Sequence, residues 1–375
     1  MKSLRIALIT GLLVSSLLVA TRALASGDAV GFTCRATVVS ADPPARTIVV
    51  TPSSASASVG GLVGQEVTIK VAAKAALVDA SREVTPLTLR KLVAGAIVSL
   101  SGVVDRGAVA SPSLVAGKVT LRSLPAGTLI WSDEFDGPSG AHPDPKKWRI
   151  DTGGTGFGNH ELEYYTTHMR NVALDGRGDL AITALRELKR GGGYTRHYTS
   201  GKLDTQGRYA TTYGSIQARI ELPAGRGLWP AFWALGTNVD RVGWPRSGEI
   251  DTMENLGQRP FRAYGSIHGP STRRPYVFGL TRAVLAQAAL SGGFHVYGVN
   301  RSPDLVQMTL DGVPYATFRP SSLSRGRRWV FNKPFFLILD LAVGGTWPGA
   351  PNATTPFPAT MLVDWVRVYS WSPPR

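Results

Sequence analysis

A chain of 375 residues that is 43% hydrophobic and only 18% charged is too apolar for a disordered protein and long enough for two domains. Its 42 glycines and 25 prolines argue against a mainly helical protein and favour short strands joined by frequent turns. The formal net charge is +15, but the basic residues are scattered apart from Arg325, Arg327 and Arg328. No zinc-finger, recognition-helix or RNA-binding signature accompanies them, so a nucleic-acid partner is not expected and the charge suits adsorption to acidic extracellular material.

The chain opens with Lys2 and Arg5, an apolar stretch Ile6 to Ala20, and the small-x-small site Ala23-Leu24-Ala25 before Ser26. This is the three-part layout of a cleavable export signal over residues 1–25. The apolar stretch falls short of the ~20 residues that span a bilayer, and Arg22 interrupts its end. A secreted protein with no membrane partner after cleavage is expected. The single cysteine, Cys34, excludes an intramolecular disulfide, so stability has to come from burial, helped at most by a metal.

Residues 30–124 are rich in Val, Ala, Thr and Ser and contain no Trp. Strand-like runs at Cys34–Ala41, Arg46–Thr51, Glu66–Val71, Ala96–Val104 and Ala116–Leu121 are broken by turn clusters at Asp42-Pro43-Pro44 and Gly60-Gly61. With one helical turn expected near Leu87–Leu92, the pattern predicts a small accessory β-barrel of the OB type. It lacks the interleaved aromatics that stack bases or sugars. A linker at 125–128 follows, and every Trp lies at Trp131 or later. Strand signals then recur to Tyr369, with a helix-like insert expected at Thr281–Leu290. The absence of α/β alternation predicts an all-β two-sheet sandwich over 129–372.

The segment that speaks to chemistry is Gly248-Glu249-Ile250-Asp251-Thr252-Met253-Glu254-Asn255. On a strand Glu249 and Asp251 share a face, but strict alternation turns Glu254 away. One extra residue near Thr252-Met253, a β-bulge, restores the phase and returns Glu254 to the side of the other two. Three acids on one face of a central strand are costly unless a polar cleft receives them. Their mutual repulsion should keep one protonated near neutral pH while another stays ionised. That asymmetry fits a retaining glycosidase, with Glu249 as nucleophile, Glu254 as acid/base and Asp251 between them as the group that tunes Glu249. Retention asks for carboxyls about 5–5.5 Å apart. A flat strand separates these α-carbons by roughly 10–13 Å, so a curved sheet is expected.

Upstream, Trp229 and Trp233 stand four residues apart and share a strand face, offering flat apolar surfaces to sugar rings. Several segments then match one family in order. They are Trp131-Ser-Asp-Glu134-Phe-Asp, Gly158-Asn159-His-Glu-Leu-Glu-Tyr-Tyr165, Ser200-Gly-Lys-Leu-Asp204-Thr and Gly227 to Gly236. The carboxylate strand, Tyr264-Gly-Ser-Ile-His268-Gly-Pro, Leu341-Ala-Val-Gly-Gly-Thr-Trp347-Pro-Gly and Met361-Leu-Val-Asp364-Trp-Val-Arg-Val-Tyr369 complete the set. From Leu129 to Trp371 the chain resembles glycoside hydrolase family 16, in its laminarinase-type branch.

The resemblance implies a curved β-jelly roll and retaining endo-hydrolysis of β-1,3-glucan by a monomer that needs no catalytic cofactor. Another β-linked polymer, mixed-linkage glucan or galactan, is the alternative substrate, and a non-catalytic carbohydrate-binding protein the alternative class. The resemblance also implies sugar subsites at Asn159, Trp229, Trp233, His268 and Trp347. It implies a structural calcium at the Glu134 carbonyl and Asp364, although calcium needs six to eight oxygens. The bulged spacing, with Met253 in the extra position, is similar to the β-1,3-glucanase branch. Lys202, Glu163 and Arg301 depart from the usual family residues, and Lys202 and Glu163 are expected to affect a distant subsite.

Overall fold

The computed structural model describes residues 29–80, 87–89, 92, 96–105, 113–123 and 127–371. The expected signal at 1–25, and residues 90 and 91 of the turn expected near Leu87–Leu92, lie outside them. The chain divides into two compact units between Thr128 and Leu129.

The first unit has five strands, β1 (Ala29–Asp42), β2 (Thr47–Ala55), β3 (Val67–Asp79), β4 (Ile97–Asp105) and β5 (Ser113–Ser123). They close into a barrel in the order β1-β2-β3-β5-β4. Closure follows from alternation: Phe32, Cys34, Ala36 and Val38 of β1 point inward and are buried, as are Val98 and Leu100 of β4 and Val119 and Leu121 of β5. Closing the sheet also removes the free edges on which other chains could pair.

The second unit is built from two sheets that share one core. Seven strands form one sheet, in the order Val277–Leu285, Arg262–Pro270, Glu249–Glu254, Leu228–Gly236, Phe335–Val343, Lys202–Asp204 and Arg149–Ile150. The other runs Val313–Phe318, Leu305–Leu310, His295–Ser302, Gly214–Glu221, Ala359–Tyr369, Leu180–Ala184 and Val172–Leu174, with Leu129–Asp133 added on Ala359–Tyr369. Ile250, Met253, Phe232, Ala234, Ile267, Leu337 and Leu339 supply the inner face of the first sheet. The helix-like insert expected at Thr281–Leu290 does not form. Val277–Leu285 is instead an edge strand paired along its whole length with Arg262–Pro270. That ladder satisfies the strand's backbone groups and overrides the helical preference of Thr281–Leu285, the first half of the expected insert.

Candidate active site

The strand Glu249–Glu254 lies inside its sheet, between Leu228–Gly236 and Arg262–Pro270. Against Leu228–Gly236, Leu235 pairs Glu249, Trp233 pairs Asp251, Phe232 pairs Met253 and Ala231 pairs Glu254. Thr252 is left without a partner there, so it, rather than Met253, is the extra residue. Met253 is held in the ladder because its fully buried side chain enters the core beside Ile250. Burying each of those two side chains stabilises this register by about 1.5–3 kcal/mol relative to exposing it.

The bulge is supported from below. The Tyr315 hydroxyl, carried by the opposite sheet, donates to the Thr252 carbonyl at 3.3 Å. Gly265 makes room for it, since a Cβ there would lie 2.7 Å from that hydroxyl. Glu249, Asp251 and Glu254 therefore project together from the face of the sheet opposite the core.

Neighbouring strands extend this face in rows. His268 stands opposite Glu249, Ser266 opposite Asp251 and Tyr264 opposite Glu254. On the other side Trp233 adjoins Asp251, and Asp340 pairs with both Ala231 and Lys202. His268 Nε2 sits 3.3 Å from Asp251 Oδ2 and 3.9 Å from Glu249 Oε1. Trp229 donates its indole N–H to Glu254 Oε1 at 3.1 Å, and the Ser266 hydroxyl reaches Glu254 Oε2 at 3.4 Å. Trp347 packs edge-on against Trp229 and Tyr264, with ring centroids 5.6 and 4.9 Å apart. Gly227, at φ +80°, brings the chain into Trp229 where a Cβ would strike Pro351 N at 2.4 Å.

Burial is the main cause of the electrostatics. It pushes the Glu249 carboxyl up to about 8, with the Asp251 charge adding to the shift and His268, a Trp244 hydrogen bond and Lys202 opposing it. Asp251 is pushed up to about 8 by burial and by Asp340. Glu254 is raised well above the ordinary glutamate range by burial, then by Asp251 and Glu249. The cluster thus holds protons at neutral pH that isolated carboxyls would have lost, as the crowding of like charges requires.

Residues 161–367 match the sequence profile of the glycosyl hydrolases family 16. The chain belongs to glycosyl hydrolase family 16. It is 40% identical over 251 residues to a β-glucanase of Rhodothermus marinus, covering 65% of this chain and 85% of that one. Among solved structures, an endo-β-1,3-glucanase from Pyrococcus furiosus is 43% identical with a TM-score of 0.61, over 66% of this chain and 95% of that one. The laminarinase catalytic domain of Thermotoga maritima is 39% identical with a TM-score of 0.61, over 66% of this chain and all of that one. As a family 16 member of laminarinase type, the chain is a glycoside hydrolase with a β-jelly-roll catalytic unit, and it needs no catalytic cofactor.

Within this family 16 site, sequence reasoning missed a fourth carboxylate. Asp340 accepts from Trp233 Nε1 at 2.5 Å and from the Tyr165 hydroxyl at 3.1 Å, and burial pushes it up to about 6. Its only sequence signal was a lone acid in the buried run Phe335–Val343. Trp244, half exposed beside Glu249 and His268, was missed as well. Asn159 donates from Nδ2 to Glu161 Oε1 at 3.1 Å, while its carbonyl accepts from the Thr346 amide, one residue before Trp347.

Of the departures from the family pattern, Lys202 faces the site, its ammonium 5.1 Å from the Trp233 ring centroid and 4.7 Å from that of Phe157. Glu163 does not reach a subsite. It is fully buried and accepts the Val343 amide at 2.6 Å. Arg301 is also buried and donates to the carbonyls of Thr211, Phe331 and Lys333. Of the two groups expected to hold calcium, the Asp364 carboxylate is taken by Arg219; the other is the Glu134 carbonyl, whose own side-chain carboxylate pairs with Arg367 at 2.6 Å. The Arg219 guanidinium beside Asp364 disfavours a divalent cation at that carboxylate.

Proposed function

We propose that the protein is a secreted endo-hydrolase that cuts internal β-1,3-glucosidic bonds, with retention, through Glu249 and Glu254. The observation that carries the reading is the Thr252 bulge, because it sets Glu249, Asp251 and Glu254 on one face beneath the Trp229 and Trp347 indoles. The Glu249 carboxylate attacks the anomeric carbon as the bond to the departing sugar oxygen breaks, and Glu254 gives that oxygen its proton. Glu254, now a base, takes a proton from water, the hydroxide attacks the anomeric carbon, and Glu249 is released.

Glu254 suits the acid role because burial, and then the charges of Asp251 and Glu249, hold its proton. Burial and then the Asp251 charge push Glu249 up to about 8, while His268, Trp244 and Lys202 favour the ionised form in which it attacks. Turnover therefore draws on the ionised fraction and rises toward pH 8. Asp251 lies between them and sets how readily Glu249 loses its proton. Trp229, Trp233 and Trp347 offer the apolar faces on which pyranose rings rest, with His268 and Asn159 as polar contacts. The Rhodothermus marinus relative is named a β-glucanase and the Pyrococcus furiosus structure an endo-β-1,3-glucanase, which supports a β-1,3-glucan substrate. Residues 1–25 would direct export, and residues 30–124 would form an accessory barrel of the OB type joined at 125–128. The enzyme would work as a monomer, and no step depends on calcium.

Proton NMR of the earliest laminarin digest tests the reading. Reducing ends should appear first in the β configuration, and α-first products would exclude retention. Reducing-sugar release should be fastest on laminarin among laminarin, curdlan, lichenan and agarose. A faster rate on lichenan or agarose would reassign the substrate.

A further inference from the structure

The barrel unit presents an open face that the hydrolytic reaction does not use. Along β1, Phe32, Cys34 and Ala36 turn inward while Thr33 and Arg35 turn out and are exposed. On β5, Lys118 and Arg122 are likewise exposed. Strand register lines these residues up: Thr33 stands opposite Ser101, which stands opposite Lys118, and Arg35 stands opposite Ser99, which stands opposite Thr120. The rows cross three strands, a span of about 10 Å, and Lys118 and Arg122 are roughly 13 Å apart along β5. Together they line a groove of about 560 Å³. Arg122 is steadied by donating from Nε to Ser99 Oγ at 3.0 Å. Neither an acidic nor an aromatic side chain lines the groove among the described residues.

We infer that this groove docks the protein on an anionic polysaccharide, one that carries carboxylate or sulfate groups along its chain. Three exposed cations without acidic partners among the described residues supply attraction of one sign, and the serine and threonine hydroxyls between them match the donors and acceptors of sugar rings. The lack of aromatic rings removes the stacking platform that a single-stranded nucleic acid would need. No exposed large hydrophobic side chain lines the groove among the described residues, which removes the anchor that a lipid surface would need. The choice of a glycan over other polyanions rests on the β-glucan reading above, in which the enzyme works within polysaccharide material.

The test compares the full chain with the triple variant Arg35→Ser, Lys118→Ser, Arg122→Ser by affinity electrophoresis. Gels contain polygalacturonate, dextran sulfate, single-stranded DNA or neutral laminarin. At about 0.05 M salt the acidic glycans should retard the unaltered protein, with binding roughly tenfold weaker in the variant, and about 0.5 M salt should abolish the difference. Stronger retardation by dextran sulfate marks a sulfate site, and stronger retardation by polygalacturonate a carboxylate site. An unchanged thermal midpoint and unchanged laminarin hydrolysis in the variant show that the substitutions act on docking alone. Equal retardation of both proteins, no retardation, or stronger retardation by DNA than by either acidic glycan would overturn the inference. Polygalacturonate binding without laminarin hydrolysis would instead defeat the β-glucan reading and leave the groove standing.

Discussion

The Glu249–Glu254 face and the barrel groove both turn side chains outward from a sheet, yet they are built oppositely. The first is acidic, partly buried and flanked by indoles; the second is basic, lined with hydroxyls and without aromatics. Burial separates them. Carboxyls held among Trp229, Trp233, His268 and Tyr264 are poorly solvated, so each charge alters the proton affinity of the next. Arg35, Lys118 and Arg122 stay in water, where charges act weakly and additively. Chemistry needs the coupled arrangement, while adsorption needs only the exposed one.

The sharpest way to break this contrast is to remove one coupled carboxylate. Glu249→Gln should lower kcat on laminarin by at least about 10⁴-fold while leaving glucan binding measurable, because it deletes the attacking group. Activity within tenfold of the parent would reassign the nucleophile. Asp251→Asn should cost about 10²-fold and also move the acid limb of kcat/KM to lower pH. The direction follows from charge: Asp251 raises the Glu249 carboxyl, so its neutralisation lets Glu249 ionise more readily. A limb that stays in place or moves up would mean that Asp251 does not tune Glu249.

A smaller effect is expected at the edge of the trough. Trp229→Phe keeps an aromatic surface but removes the indole donor to Glu254 Oε1. Roughly tenfold lower kcat/KM is expected, with the basic limb displaced upward because that hydrogen bond favours the Glu254 carboxylate. An unmoved limb would separate Trp229 from the acid/base.

The smallest effect concerns stability and carries the opposite sign. Glu249 keeps its proton to about 8 in the folded protein but loses it near the ordinary value of 4.5 when unfolded. Stability is therefore drained as pH rises from about 4.5 to 8, and Glu249→Gln removes that drain. The variant should be more stable by about 1–2 kcal/mol at pH 8 and indistinguishable from the parent near pH 4. A thermal midpoint lower than that of the parent at pH 8 would contradict the burial of this carboxyl.

What the sequence could say followed from local periodicity. Alternation across Gly248–Asn255 demanded an extra residue if the three acids were to share a face, and the five barrel strands stood out between turn clusters. The pattern could not choose between Thr252 and Met253 as the unpaired residue. That depended on which side chain the core accepts, and the core is assembled from the other sheet. It also could not show that the helix-like run from Thr281 would start inside a strand, Val277–Leu285, that finds a ladder waiting along Arg262–Pro270.

The sequence by itself determined the acids, their order along the strand and the need for a bulge, since these depend only on the two-residue repeat of an extended chain. The tertiary structure alone decided that Asp340 and Lys202, far from Glu249 in the chain, join its electrostatic cluster. It alone likewise gave the Glu134 and Asp364 carboxylates to arginines. Those outcomes turn on which strands lie side by side, and strand neighbours are set by long-range packing rather than by local pattern.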